Sequence, residues 1–429
     1  MNFRPHDVLR SFFYLMISVL LHGFLAAITL QEAESLALKN NSEYRFYQAE
    51  VSAMKGARTQ AGLWKNPEIS LEYGERRIKN SGDQLQNEGT TRGGSVKQTF
   101  EFPGKGSLRK AMADQDLLIA ELGLLQFEKA LAGKVHLLAL TYLSACQQSE
   151  AIEEVSERAV ALLDLLQSRP LAGTQQLLEL RVIEGTLLSL QQSAKEWIQA
   201  REESRIELNT VLGLPQSHLL TIEASLSTPP QSLPEISKIV LAGLSHNLLL
   251  KIRMAELEKS ADAVSSAKLD IAPDFSVGPF FSQDKAGESE VNFGGSLSMT
   301  LPLWNWNQGT IAHSQALQKQ ADALLLEARR KVEAQIMRSY RFLQLNRKLL
   351  EATPEKTISN LRSAADLADR QYRTGAIPVA LYIEVQREFL NSLKIRHETF
   401  LQLWSNRLDL DLLTSGALTE PSPYKSVKD

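Results

Sequence analysis

Two stretches of the chain alternate apolar and polar residues with the period of a β-strand and then run into helix. Residues 93–113 read GGSVKQTFEFPGKGSLRKAMA, and residues 294–316 read GGSLSMTLPLWNWNQGTIAHSQA. In the first, Val96, Phe100 and Phe102 share a face opposite Ser95, Lys97, Thr99 and Glu101; in the second, Leu297, Met299, Leu301 and Leu303 oppose Ser296, Ser298 and Thr300. The copies align through Gly-Gly-Ser, with Thr99 matching Thr300. Each has an upstream companion that follows a proline. After Pro67, Ile69, Leu71 and Tyr73 alternate with Glu68, Ser70 and Glu72; after Pro273, Phe275, Val277 and Phe281 fall on one face. With polar loops at 76–92 and 282–290, the pattern predicts two hairpins, pairing strands 67–76 with 93–102 and 274–282 with 291–303.

Helical patterns fill the rest. A helix is expected over 29–64, with Thr29 and Glu32 as a capping box, and another over 105–168 with no proline inside. At 1.5 Å per residue the second would reach roughly 95 Å. A tight turn at Arg169, Pro170, Leu171, Ala172, Gly173 and Thr174 sends the chain back through a helix over 175–212, giving an antiparallel helical hairpin. The plan then repeats. Residues 28–220 form the first repeat, 221–234 a Ser/Thr/Pro-rich linker, 235–416 the second repeat, and 417–429 a disordered tail. In the second repeat helix is expected over 234–268 and 307–372, interrupted at Thr353-Pro354-Glu355 with Thr353 as a cap. Gly375 then turns the chain into a last helix over 376–413.

Composition narrows the function. The 429 residues carry 7% aromatic residues and a net charge of −3, with no dense Lys/Arg run, so nucleic acid is not an expected partner. Arg4 and Arg10 precede an apolar run from residue 12 to 28 that ends in Leu25-Ala26-Ala27, which reads as a secretory signal peptide over 1–27, the alternative being an uncleaved transmembrane anchor. The single cysteine, Cys146, excludes an internal disulfide and reads as a small packing residue. No nucleophile elbow, zincin helix, phosphate loop or paired-cysteine motif occurs, and the seven histidines are scattered. Neither an enzyme nor a metal or cofactor site is expected.

Architecture is therefore the informative feature. Four amphipathic strands per chain cannot close a membrane barrel, because known barrels begin at about eight; three copies would supply twelve. The fold class expected is mainly α with a membrane β-barrel portion, built from two tandem repeats. Ile69, Leu71, Tyr73, Val96, Phe100, Phe102, Phe275, Val277, Phe281, Leu297, Met299 and Leu301 are the expected lipid-facing positions, with Lys97 and Glu101 toward a lumen and Pro103-Gly104 as the bend into helix. The competing readings are two hairpins packed on a soluble core, and a periplasmic coiled-coil scaffold or adaptor without a barrel.

Four segments resemble the TolC family of outer-membrane efflux proteins: TLQEAESLALKNN (29–41), QAGLWKNPEISLE (60–72), KQTFEFPGKGSLR (97–109) and YRTGAIPVAL (372–381). The second, and the Phe-Pro-Gly-Lys turn, look most like the branch serving heavy-metal exporters. The resemblance implies a homotrimer in the cell outer membrane: a twelve-stranded barrel in lipid, continued by a periplasmic tunnel of helices and docked to a periplasmic adaptor and an inner-membrane RND pump. It implies a passive conduit, for heavy-metal cations or alternatively for drugs or secreted protein. It also implies adaptor contact at the tips, Leu171, Ala172, Gly173 and Thr174 with Gly375, Ala376, Ile377 and Pro378. Carboxylates six and nine residues past the tip glycines shape the family's aperture. Here these are Glu179 and Glu384, whereas Val182 and Leu381 stand where the pattern would put two more. Glu384 would form an acidic ring, and Glu179 would pair with Arg370 or Arg373.

Overall fold

Thr29 opens the first helix in the way its sequence asks: its hydroxyl accepts the N–H of Glu32 at 3.3 Å while the Glu32 carboxylate takes the N–H of Thr29 at 2.9 Å. The computed structural model describes residues 28–168, 173–223, 226 and 234–417. The expected signal peptide, the tail beyond 417, most of the linker, and Leu171 and Ala172 lie outside the described residues.

In order the elements are β1 (Ile28–Thr29), α1 (Leu30–Asn40), α2 (Ser42–Ala61), β2 (Glu68–Lys79), β3 (Leu85–Phe100), α3 (Lys105–Gln167), α4 (Thr174–Leu212), β4 (Ile222–Glu223), α5 (Ile236–His246), α6 (Leu248–Leu269), β5 (Phe275–Ala286), β6 (Glu288–Met299), α7 (Gln308–Ala352), α8 (Glu355–Arg373) and α9 (Val379–Leu413).

Two expected helices are each broken once, and at matching asparagines. Asn41 leaves the helical region (φ −64°, ψ 124°) between α1 and α2, and Asn247 does the same (φ −57°, ψ 126°) between α5 and α6. Asparagine side chains compete with the helix for backbone groups. The Asn41 side-chain oxygen accepts the N–H groups of Glu43 at 2.9 Å and Tyr44 at 3.0 Å, while its amide donates to the carbonyl of Val211 at 3.2 Å. The Asn247 amide donates to the carbonyl of Leu413 at 2.9 Å. Each break thus satisfies a carbonyl left open at the end of its repeat's last helix.

The residues group into two units. One comprises residues up to Phe46, 125–247 and from Lys331 onward, and the elements among its described residues are helices apart from the parallel β1·β4 pair. Its interior includes Ala37, Val135, Ala139 and Leu208, all fully buried; further along, Ile152, Ala365 and Phe389 and then Leu162, Ile183 and Ala368 join α3, α4, α8 and α9. Alanines at these contacts let helix backbones approach closely. Arg158 to Asp366 and Arg362 to Glu154, both at 2.7 Å, tie α3 to α8 at the surface. The break at Thr353-Pro354 occurs as expected, but Thr353 is not the cap. Its hydroxyl donates back to the Leu349 carbonyl at 2.8 Å, and Pro354 stands at the cap position.

The other unit, residues 47–124 and 248–330, holds one antiparallel sheet of strand order β2-β3-β5-β6. Its strands are longer than the hydropathy pattern indicates, so most of the two expected polar loops is strand. The first hairpin turns over Asn80 to Gln84, where the Asn80 side chain accepts the N–H groups of Gly82 and Gln84; the second turns on Gly287 alone, at φ +96°. The polar residues there carry no apolar period, yet their backbones pair as well as any others.

Candidate functional site

Directly opposed residues of an antiparallel ladder share a face, so register sorts the sheet's side chains. Ile69 stands opposite Val96, Phe100 opposite Phe275, Phe275 opposite Met299, and Val277 opposite Leu297. Every expected lipid-facing residue within a strand therefore falls on one face. Phe102 and Leu301 lie just past the ends of β3 and β6. The same face carries Val291 and Phe293, which the sequence reading missed although both continue the alternation of β6. It is bare: Leu71 is 84% exposed and Phe293 81%. A contiguous apolar surface of this kind calls for a nonaqueous neighbour.

The opposite face is polar. The hydroxyls of Thr99 and Ser276 share a hydrogen bond at 2.9 Å, Ser296 donates to the Gly278 carbonyl at 3.1 Å, and Arg76 pairs with Asp284 and, at 3.8 Å, with Glu290. Lys97 belongs to this face. Phe280 and Ile78 are exceptions; the Phe280 ring lies over Gly294, where any side chain would come within 2.9 Å of it.

Below the first hairpin a cluster of ions fixes the turn from β3 into α3. Lys105 donates to the Ala272 carbonyl at 2.7 Å and the Asp274 carboxylate at 2.9 Å; Asp274 also takes the N–H of Phe102 at 3.1 Å and Lys65 at 3.3 Å. Burial pushes the Asp274 pKa up, but the bonds from Lys105, Phe102 and Lys65 outweigh it and leave it lowered. Glu101, expected toward a lumen, lies just past the end of β3 and is ion-paired within the chain. It is held by both oxygens on one nitrogen of Arg109, at 2.8 and 2.9 Å, while Arg109 also reaches the Ala61 carbonyl. Phe100 stacks on Phe275 at 5.5 Å and meets Trp64 edge-on at 5.9 Å. The second junction carries instead the exposed side chains of Leu301, Leu303, Trp304 and Trp306.

At the helical tips, Gly375 adopts φ +74° and Ala376 donates to the Gln371 carbonyl at 2.8 Å, closing α8 before Pro378 caps α9. Gly375, Ala376 and Pro378 are exposed, as are Gly173 and Thr174, whereas Ile377 is half-buried beside Tyr372. Glu384 pairs with Arg387 one turn on, both well exposed. Arg373 closes on Asp369 at 2.8 Å, a bond that raises its pKa; Arg370 is exposed and Glu179 half-buried. Tyr382 stacks on Tyr372 at 5.5 Å, and burial pushes its hydroxyl up to about 12. Among the described residues no three His, Cys, Asp or Glu side chains gather to hold a metal, and no helix is long and apolar enough to cross a membrane.

Comparison with solved structures places this arrangement. The chain has the fold of the TolC-type outer-membrane channels. It superposes on the CmeC outer membrane channel of Campylobacter jejuni with a TM-score of 0.72 at 14% identity, covering 92% of this chain and 87% of that one. The outer membrane protein VceC of Vibrio cholerae gives 0.69 at 16% identity, covering 91% and 97%. The open state of the MtrE outer membrane channel of Neisseria gonorrhoeae gives 0.70 at 14% identity, covering 91% and 89%. At such identities the likeness is one of fold. No protein-family profile matches the sequence, and no curated protein does.

Proposed function

We propose that this chain is the outer-membrane channel subunit of a tripartite efflux assembly. Three copies join their four-stranded sheets into a twelve-stranded barrel, and the helices form a periplasmic tunnel docked to an adaptor and an RND pump. The observation that carries the reading is the sheet itself, with one bare apolar face, one polar face, and no partner strand on either outer edge among the described residues. Such a sheet is incomplete alone, and lipid outside with water inside satisfies both faces. The channel is passive. Heavy-metal cations are the cargo suggested by the resemblance of residues 60–72 and of the Phe-Pro-Gly-Lys turn to the metal-exporter branch; the pump makes the choice. The tips at Gly173, Thr174 and Gly375 to Pro378 meet the adaptor, and Glu384 from three copies rings the aperture near Glu179, Arg370 and Arg373.

Membrane fractionation tests the reading. The expected result is a trimer in the outer-membrane fraction that resists carbonate and dissociates to monomer only on heating in detergent. Release of a monomer by carbonate would instead make it a periplasmic scaffold.

A further inference from the structure

The outer edges of β2 and β6 are complementary, and we infer that they pair between copies in one register: Tyr73 opposite Met299, Leu71 opposite Leu301 and Ile69 opposite Leu303 of the next copy. The inference rests on the barrel reading above and adds to it which residues meet.

The internal repeat supplies the register. Ile69 and Phe275 are each the second residue after the matched prolines Pro67 and Pro273. Their hairpin partners are Val96 and Met299. Each of those partners stands nine residues before the next helix begins, at Lys105 and Gln308. Val96 and Met299 are therefore equivalent, as are Ile69 and Phe275. Within one chain, β3 and β5 pair Phe100 with Phe275 and Gln98 with Val277. Carrying that ladder to the equivalent edges puts Leu303 opposite Ile69 and Leu301 opposite Leu71.

The Gly-Gly-Ser runs would align the copies differently, but they are two residues out of step in the sheet. Gly94 faces Leu71, the fourth residue after Pro67, whereas Gly295 faces Pro279, the sixth after Pro273. That alignment would place Met299 opposite Leu71 and Leu297 opposite Tyr73.

The inferred register keeps apolar residues on the apolar face across the seam. It also gives a role to Leu301 and Leu303, which are 59% and 62% exposed beyond the end of β6 in the single chain. β6 stops at Met299, opposite the first residue of β5, and beyond it the Leu303 N–H bonds the Leu301 carbonyl at 3.0 Å across Pro302, a turn that has to open for β2 of a neighbour to extend the ladder.

Disulfide trapping in the full chain, in native outer membranes and with Cys146→Ala as background, tests it. The pairs Tyr73→Cys with Met299→Cys and Leu71→Cys with Leu301→Cys are expected to give covalent trimer, at least about tenfold more than Leu71→Cys with Met299→Cys, since disulfides need close and aligned Cβ atoms. Preferential trapping of the last pair in an intact trimer overturns the register and leaves the barrel standing. Protein that is monomeric and carbonate-soluble before any cysteine is introduced overturns the barrel itself. A photo-crosslinking residue at position 73 reads the same seam without thiols: adducts on Met299 support the register, and adducts on Leu297 overturn it.

Discussion

His397 on α9 is only 6% exposed, and burial, with the neighbouring Arg396 cation, lowers its pKa to about 4. The unfolded chain binds a proton there near pH 6.5, so the folded state is penalised as pH falls from that value toward 4. At pH 5 the loss is about 2 kcal/mol. Thermal unfolding in detergent should show a lower midpoint at pH 5 than at pH 7.5, and His397→Phe should remove much of the difference; an unchanged difference would count against it. Cys146 is half-buried, with burial raising its pKa, which fits the packing role expected from its isolation in the sequence. The Thr29 cap was equally legible, because a capping box is a local signal. The pairing of Glu101 with Arg109 was not, since alternation shows which face a residue occupies and not which cation lies beneath it.

Among the elements, β5 is tightly constrained where it passes β3. A Cβ on Gly278 would lie 1.7 Å from the Val96 carbonyl oxygen, and Pro279 beside it has no N–H to give to the ladder. Gly278→Ala should therefore break the β3·β5 pairing and, with it, the heat-dissociable trimer proposed above, while Gly295→Ala, which meets nothing within 4 Å, should leave both intact. Equal behaviour of the two variants on gels would refute the argument. Strand positions on the apolar face could be read from alternation, but strand length could not. From Arg76 to Arg92 the side chains are mostly polar, and backbone bonds, with ion pairs such as Arg77 to Glu88 at 3.6 Å, hold the pairing without an apolar period. The breaks at Asn41 and Asn247 were hidden for a different reason: each depends on a carbonyl at the end of a helix about 170 residues away.

For the whole molecule, the order of hairpins and long helices was visible in the sequence, whereas the cargo was not, because in the proposed assembly the pump and not this chain would choose it. In the proposed trimer, Glu384 would be the point at which the chain itself acts on ions. If three copies ring the aperture, Glu384→Gln should reduce cation preference and divalent block in single-channel recordings, and unchanged recordings would remove the ring. Arg387, already paired with Glu384, would partly offset the charge that such a ring presents. The two hairpins have a last consequence. Between equivalent paired positions the second is three residues shorter: its turn, Gly287 alone, is four residues shorter than Asn80 to Gln84, and one more strand residue offsets part of that, the first hairpin having a register shift at Ile78 and Lys79. Length is thus negotiable at Gly82 and Asp83, while Gly287, whose added Cβ would sit 2.4 Å from the Asn87 amide, leaves no slack. An epitope or fluorescent label belongs in the first turn, where it disturbs neither the ladder nor the seam.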